Sequence, residues 1–275
     1  MLAFYPRLSA LDLVLLRGPG AGLGNLLFTW ARAEIYALQS GGRVIAPTWR
    51  NLKLGPWLRR EPDKRGYGSI FRHRHPARAV ADLLSRTTIR RISEDDYLAS
   101  PLAHPDSIVT VRDLGRCFAD LDGHADYLRS RLLDLSRHPL ASSRSGFIAL
   151  HIRCGDFAPP PPRYVRNSRI DLDWFVAELR RVRERLPDLP AVIFTDDTSG
   201  GVRAAFAATA RVSFAEPANA LQDIFRMAAA EHLVLSNSTF SLWAAFLGHG
   251  TVSTRWPELF ADYGLASAGF RQRIR

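Results

Sequence analysis

Lysine is almost absent from this chain: of 37 basic residues only Lys53 and Lys64 are lysines, and the rest are arginine. A GC-rich coding sequence produces that bias, so the formal charge of +10 does not by itself identify an anionic partner. Cysteine is as scarce. Cys117 and Cys154 are too few for a disulfide framework and lack metal-ligand spacing, which fits a reducing compartment. No apolar run approaches the ~20 residues of a membrane span. The first sixteen residues, interrupted by Arg7 and Asp12, make a poor signal peptide. A cytoplasmic protein, at most peripheral on the inner face of a membrane, is expected. Low-complexity tracts and short repeats are missing too, while 47% of the 275 residues are apolar. The chain is globular, with room for one large domain or two of roughly 130 residues.

What charge there is concentrates between Asn51 and Arg91, where eleven Lys/Arg face only Glu61, Asp63 and Asp82. The excess suits an anionic membrane surface, an acidic glycan or nucleotide phosphates. No aromatic residues are ordered among these arginines as a nucleic-acid stacking platform requires, so nucleic acid is not expected as a partner.

Short apolar runs alternate with helical patterns. Leu11–Leu16 reads as a strand, Leu26–Gln39 as a helix stopped by Gly41-Gly42, and Arg43–Ala46 as the next strand. Prolines break the pattern from 47 to 110, leaving a strand at Ile108–Val111 and a helix near Phe118–Leu135. From Gly146 the rhythm sharpens: strands at Phe147–Ile152, Ala191–Thr195, Arg211–Ser213, Leu233–Leu235 and Thr251–Thr254. Helices are expected at Leu172–Leu186, Gly201–Ala208, Ala220–Ala230 and Thr239–Leu247. Such alternation predicts an α/β protein with mostly parallel sheets, whose ligands bind beyond the carboxyl ends of the strands. Ser142–Gly146 reads as a linker between an N-terminal domain, 1–141, and a C-terminal one, 146–256. The tail, 257–275, is expected to pack back on the N-terminal domain.

Three polar turns follow predicted strands. Ser236-Asn237-Ser238-Thr239-Phe240-Ser241 sits between two apolar runs and reads as strand, tight turn, helix. A hydroxyl-rich turn at a helix N-terminus holds phosphate through backbone N–H groups, though the same residues also serve as an ordinary cap. His151-Ile152-Arg153-Cys154-Gly155-Asp156 puts a histidine and an arginine on one side of a strand end, and arginine grips a diphosphate bidentately. Thr195-Asp196-Asp197 offers carboxylates or a helix cap. The glycine turn Gly18–Asn25 matches neither the dinucleotide fingerprint nor the phosphate loop. It remains a tight turn into a helix, with Gly24 and Asn25 where a ligand can approach the backbone.

Taken together, Gly22-Leu23-Gly24-Asn25 with Phe28 and Ala31, His151-x-Arg153-x-Gly155-Asp156, Phe194-Thr195-Asp196-Asp197, and Asp223 to Met227 leading to Ser236–Ala245 resemble the α-1,2-fucosyltransferase family. The order and spacing match over roughly residues 10–250. Cys154, Leu26 and Leu242 stand where that family usually has arginine, glutamine and frequently tryptophan. The resemblance implies a GT-B fold of two Rossmann-like domains facing a central cleft. It implies GDP-fucose as donor and inverting transfer to a hydroxyl of a glycan or glycolipid acceptor, without metal or other cofactor. The donor would be held mainly by the C-terminal half.

Departure of GDP develops negative charge on the β-phosphate, so fixed positive charge and N–H dipoles there are the main requirement. Arg153 would supply the charge. Ser236, Asn237, Ser238, Thr239 and Phe240 would supply hydroxyls and N–H groups at the helix start. His151 and one of Asp196, Asp197 or Asp223 are candidates for guanine and ribose, Asn25 and Gly24 for contact from the opposite domain, and Asp156 for the general base. Two alternatives stay open: another GDP-sugar as donor, and a chain that keeps the fold for binding a glycan or nucleotide without turnover.

Overall fold

The computed structural model describes residues 2–12, 16–18, 21–51, 67–72, 81, 84, 88–155 and 157–275. They form two compact units, Met1–His138 and Pro139–Arg275, each built on one parallel sheet. The class is α/β, as the alternation of runs predicts.

In the first unit strands β1 (Ala3–Pro6), β2 (Arg43–Val44), β3 (Arg91–Ser93) and β4 (Ile108–Val111) lie in the order β2-β1-β4-β3. Helices α1 (Leu23–Ser40), α2 (Glu94–Ala99) and α3 (Ala125–Leu135) belong to it. α1 is buried on nearly every face, and its Ala33 and Ala37 pack on Phe4, Val109 and Val111 of the sheet. Gly22 precedes the helix without a side-chain cap. Instead the Tyr67 hydroxyl accepts the Leu23 N–H at 2.9 Å. The helix ends at Gly41, whose φ of 67° glycine adopts without steric cost. Ser93 and Asp96 close a reciprocal capping box at the start of α2. An open cavity of about 1080 Å³ lies among α1, α2 and the turn at Cys117–Leu121; none of the predicted site residues lines it.

The second unit has strands β5 (Ser145–Ile152), β6 (Ala191–Thr195), β7 (Val212–Phe214), β8 (Ala230–Leu235) and β9 (Thr251–Thr254), ordered β7-β6-β5-β8-β9 and all parallel. Helices α4 (Leu172–Arg183), α5 (Gly201–Phe206), α6 (Ala220–Ala228) and α7 (Thr239–Leu247) alternate with them, followed by α8 (Glu258–Asp262) and α9 (Ala268–Arg271). Ile148, Leu150 and Ile152 of β5 pack with Phe175, Leu179 and Val182 of α4. β6 and β7 are added on one side of β5, β8 and β9 on the other. The order therefore reverses between β5 and β8, the point beyond whose carboxyl ends ligands of such sheets bind.

Several expectations are corrected. The first strand is Ala3–Pro6, not Leu11–Leu16: Leu11 and Leu16 are exposed, and 13–15 lie outside the described residues. The helix expected at Phe118–Leu135 is interrupted, because Gly123 adopts a φ of 77° between the short turn Cys117–Leu121 and α3. Ser145 and Gly146 belong to β5 rather than to a linker, and the units divide between His138 and Pro139. The tail runs along β9 of its own unit: Val252 donates its N–H to Arg273 O at 2.8 Å and accepts that of Arg275 at 2.9 Å. Most of the basic stretch between Asn51 and Arg91 lies outside the described residues. Among the described residues no helix is long and apolar enough to cross a membrane.

The turn from α7 into β9 admits no side chain at Gly250, where a Cβ would lie 2.2 Å from the Ala230 carbonyl oxygen. Gly250→Ala is expected to lower stability by about 1–3 kcal/mol, read from the denaturant midpoint. An unshifted midpoint would show that this turn yields freely.

Candidate functional site

The three polar turns emerge from neighbouring strands, β6, β5 and β8, at their carboxyl ends. Two contacts knit them together. Across the β5/β8 reversal His151 Nδ1 lies 2.6 Å from Ser236 Oγ. Between β5 and β6 the Arg153 guanidinium pairs with Asp196, Nη1 to Oδ2 at 2.5 Å. Below that pair the Thr195 hydroxyl donates to the Ile152 carbonyl at 2.7 Å. Arg153 also lies against the Phe157 ring, 5.4 Å from its centroid.

The Ser236–Ser241 block is internally bonded to a degree its composition does not reveal. Ser241 is fully buried and donates to the Ser236 and Ser238 carbonyls, both at 3.1 Å. Asn237 is buried as well, its amide donating to Val165 O and Ser168 Oγ and so anchoring the loop before α4. Ser238 caps α7 by accepting the Phe240 N–H at 3.2 Å, and that N–H is therefore engaged by the helix's own cap. Thr239 and Phe240 stand partly exposed at the helix start, with the Phe240 ring 5.3 Å from the His151 ring. Sequence reasoning missed Ser241, Ser168 and Val165 as the supports of this turn. Ser241 at two residues into the helix was the visible signal.

The remaining candidates separate by what they touch. Asp197 accepts the Ser199 N–H and hydroxyl through Oδ1 and the Val202 N–H through Oδ2, so it holds the start of α5. The Ser199 hydroxyl is the main cause that lowers its carboxyl pKa, aided by backbone N–H groups. These bonds tie Asp197 to the loop and first turn of α5, the structural duty that the Thr195-Asp196-Asp197 turn also offers. Asp223 lies in the first turn of α6 beside Arg226, 3.5 Å away, which itself sits over the Phe194 ring of β6. Gly24 and Asn25 occupy the first turn of α1 in the first unit. Asp156 lies outside the described residues. Burial, then Asp196, pushes the Cys154 thiol up, so a neutral thiol stands where the resembled family has an arginine.

Burial drives His151 down to about 4, against the raising effect of Asp196 and with the lowering effect of Arg153. His232, bonded to Thr251 and Ser253 at 2.7 and 3.0 Å, is likewise driven to about 4 by burial. Both are neutral at physiological pH. Because the native values lie below the unfolded 6.5, the unfolded chain binds more protons between those limits. Stability is full above about pH 6.5 and falls as pH drops toward 4, by up to roughly 3 kcal/mol per histidine. Melting curves from pH 8 to 4 should show that decline, and His232→Gln should make it shallower; a flat profile would contradict the burial of these rings.

A model of the family described as "Glycosyl transferase family 11" matches residues 122–264, more than half of the chain. The chain belongs to glycosyl transferase family 11. The match agrees with the α-1,2-fucosyltransferase resemblance of the motifs, and it takes in all three polar turns. Mouse galactoside 2-alpha-L-fucosyltransferase Sec1 is 30% identical over 114 residues, which is 40% of this chain. The aligned part spans 30% of that mouse protein's length. Among solved structures, POFUT1 in complex with GDP-fucose superposes with a TM-score of 0.50 at 9% identity, over 92% of this chain and 97% of that one. The fucosyltransferase NodZ from Bradyrhizobium gives 0.47 at 14% identity, over 90% and 93%. At such identities the POFUT1 likeness is one of fold.

Proposed function

We propose that this family 11 chain transfers fucose from GDP-fucose to a hydroxyl of a glycan acceptor, forming an α-1,2 linkage with inversion and without a metal. The observation that carries the reading is the convergence of Arg153, His151 and the start of α7 at the β5/β8 reversal. A departing nucleoside diphosphate needs its growing negative charge met by groups already in place. Arg153 meets it as a guanidinium, and the N-terminal dipole of α7 reinforces it. Neutral His151 serves as a hydrogen-bonding partner rather than as a proton carrier. The family match, the Sec1 likeness and the POFUT1 fold support fucosyl transfer.

The test is calorimetric titration of GDP and GDP-fucose in EDTA, followed by product analysis with β-galactoside acceptors. Low-micromolar metal-free binding of both ligands, and a fucosylated product carrying the 1,2 linkage, are expected. No binding of GDP by the wild type would sink the reading. Binding with turnover of another GDP-sugar in preference to GDP-fucose would replace the donor.

A further inference from the structure

Asp196 and Asp197 are adjacent acidic residues after β6, yet the structure gives them unrelated duties. Asp197 is engaged by α5, as described above. Asp196 turns the other way, toward β5, and both its oxygens are used there. Oδ1 accepts the Cys154 N–H at 2.7 Å, and Oδ2 meets Arg153 Nη1 at 2.5 Å. The next residue, Gly155, leaves room for this: a Cβ on it would lie 2.4 Å from Asp196 Oδ2 and 3.5 Å from Arg153 Cζ. Arg169 fixes the far side of the same turn, donating to Phe157 O at 3.0 Å and Gly155 O at 3.2 Å. The turn is thus clamped from both flanks, and the carboxylate is one jaw.

We infer that Asp196 is a positioning residue: it orients the Arg153 guanidinium and the turn that carries it, and does not itself contact the nucleotide. This rests on the donor reading given above for Arg153. The physical reason is entropic and electrostatic together. An unrestrained arginine side chain gives up much rotamer freedom when it is fixed. Pairing with Asp196 and contact with the Phe157 ring remove most of that freedom before ligand arrives, as preorganisation requires. The Cys154 N–H bond makes the device rigid, since it ties the carboxylate to the backbone beside the arginine. A guanidinium carries five N–H donors, and Asp196 holds it through Nη1.

The prediction is a coupling. GDP affinity is measured by calorimetry for wild type, Asp196→Asn, Arg153→Ala and the double variant, with thermal melts alongside. Asp196→Asn should weaken GDP at least tenfold in the wild-type background and less than twofold once Arg153 is alanine. Gly155→Ala, whose Cβ would lie 2.4 Å from Asp196 Oδ2 and so push the carboxylate out of its place, should reproduce the Asp196→Asn loss. It also keeps the test open if Asp196→Asn folds poorly. A purely structural role would lower the melting temperature without that coupling. Equal losses in both backgrounds would mean that Asp196 touches guanine or ribose directly and would overturn the inference. So would tighter GDP binding by Asp196→Asn, which would make the carboxylate a competitor of the diphosphate. Failure of the wild type to bind GDP is a separate result, aimed at the donor reading itself.

Discussion

On the proposed function, Arg153→Ala is expected to lower kcat/KM for fucosyl transfer by about 10²–10³-fold, the usual cost of removing one preorganised group aimed at developing charge. Arg153 is held at the carboxyl end of β5, next in the sheet to β8, whose following turn starts α7. Its side chain is 26% exposed, so the charge acts in a partly dry setting while remaining reachable from solvent. Most of the loss should fall on kcat, because negative charge on the diphosphate grows as the glycosidic bond breaks. Arg153→Lys should recover only part of it, since an ammonium cannot bridge two phosphate oxygens in a plane or keep the Asp196 geometry. Steady-state kinetics at saturating acceptor checks both variants. A kcat/KM for Arg153→Ala within threefold of wild type would show that the diphosphate is stabilised elsewhere.

How far the sequence alone reached this site depends on the kind of signal. Thr239–Leu247 and Thr251–Thr254 were legible to the residue because a polar cap separates two apolar runs and glycines stop the helix. β1 was not, since Ala3–Pro6 is four residues long and its neighbour Leu11–Leu16 is the stronger apolar run. α2 was hidden among prolines, although Ser93 and Asp96 already spell its capping box. At the candidate site, residue types singled out Arg153, His151 and the hydroxyl turn, which the structure brings to neighbouring strand ends. Direction was invisible. Asp196 and Asp197 are chemically identical in the sequence, and only the backbone turn after β6 sends one to Arg153 and the other to the N–H groups of α5. Likewise Ser238 and Asn237 look alike as ligand donors, but Ser238 caps α7 and the Asn237 amide nitrogen holds Val165 and Ser168, while Asn237 Oδ1 is buried without a hydrogen-bond partner among the described residues.

The same accounting of buried charge governs the first unit, where Arg32→Ala is expected to cost about 3–5 kcal/mol. Arg32 is 1% exposed in the middle of α1. Its Nε and Nη2 each lie 3.1 Å from a Glu94 oxygen, and Nη2 also donates to the backbone carbonyls of Arg112 and Asp113. Tyr36 donates to the same carboxylate at 2.8 Å. Glu94 is the first residue of α2, and Arg112 and Asp113 follow β4. One guanidinium therefore joins α1, α2 and the end of β4, with Asp120 4.0 Å from Nη1. Gly115 is glycine for this reason: its φ is 55°, and a Cβ would fall 1.7 Å from Arg32 Nη1. Truncating Arg32 leaves Glu94 half-enclosed without its cation and opens a cavity beside α1. The loss should appear as a melting temperature lower by on the order of 10 °C. Glu94→Gln, which keeps the hydrogen-bonding shape and removes the charge, should cost less than Arg32→Ala. If Arg32→Ala melts within 2 °C of wild type, the buried network adds nothing net and α1 is held by its apolar contacts.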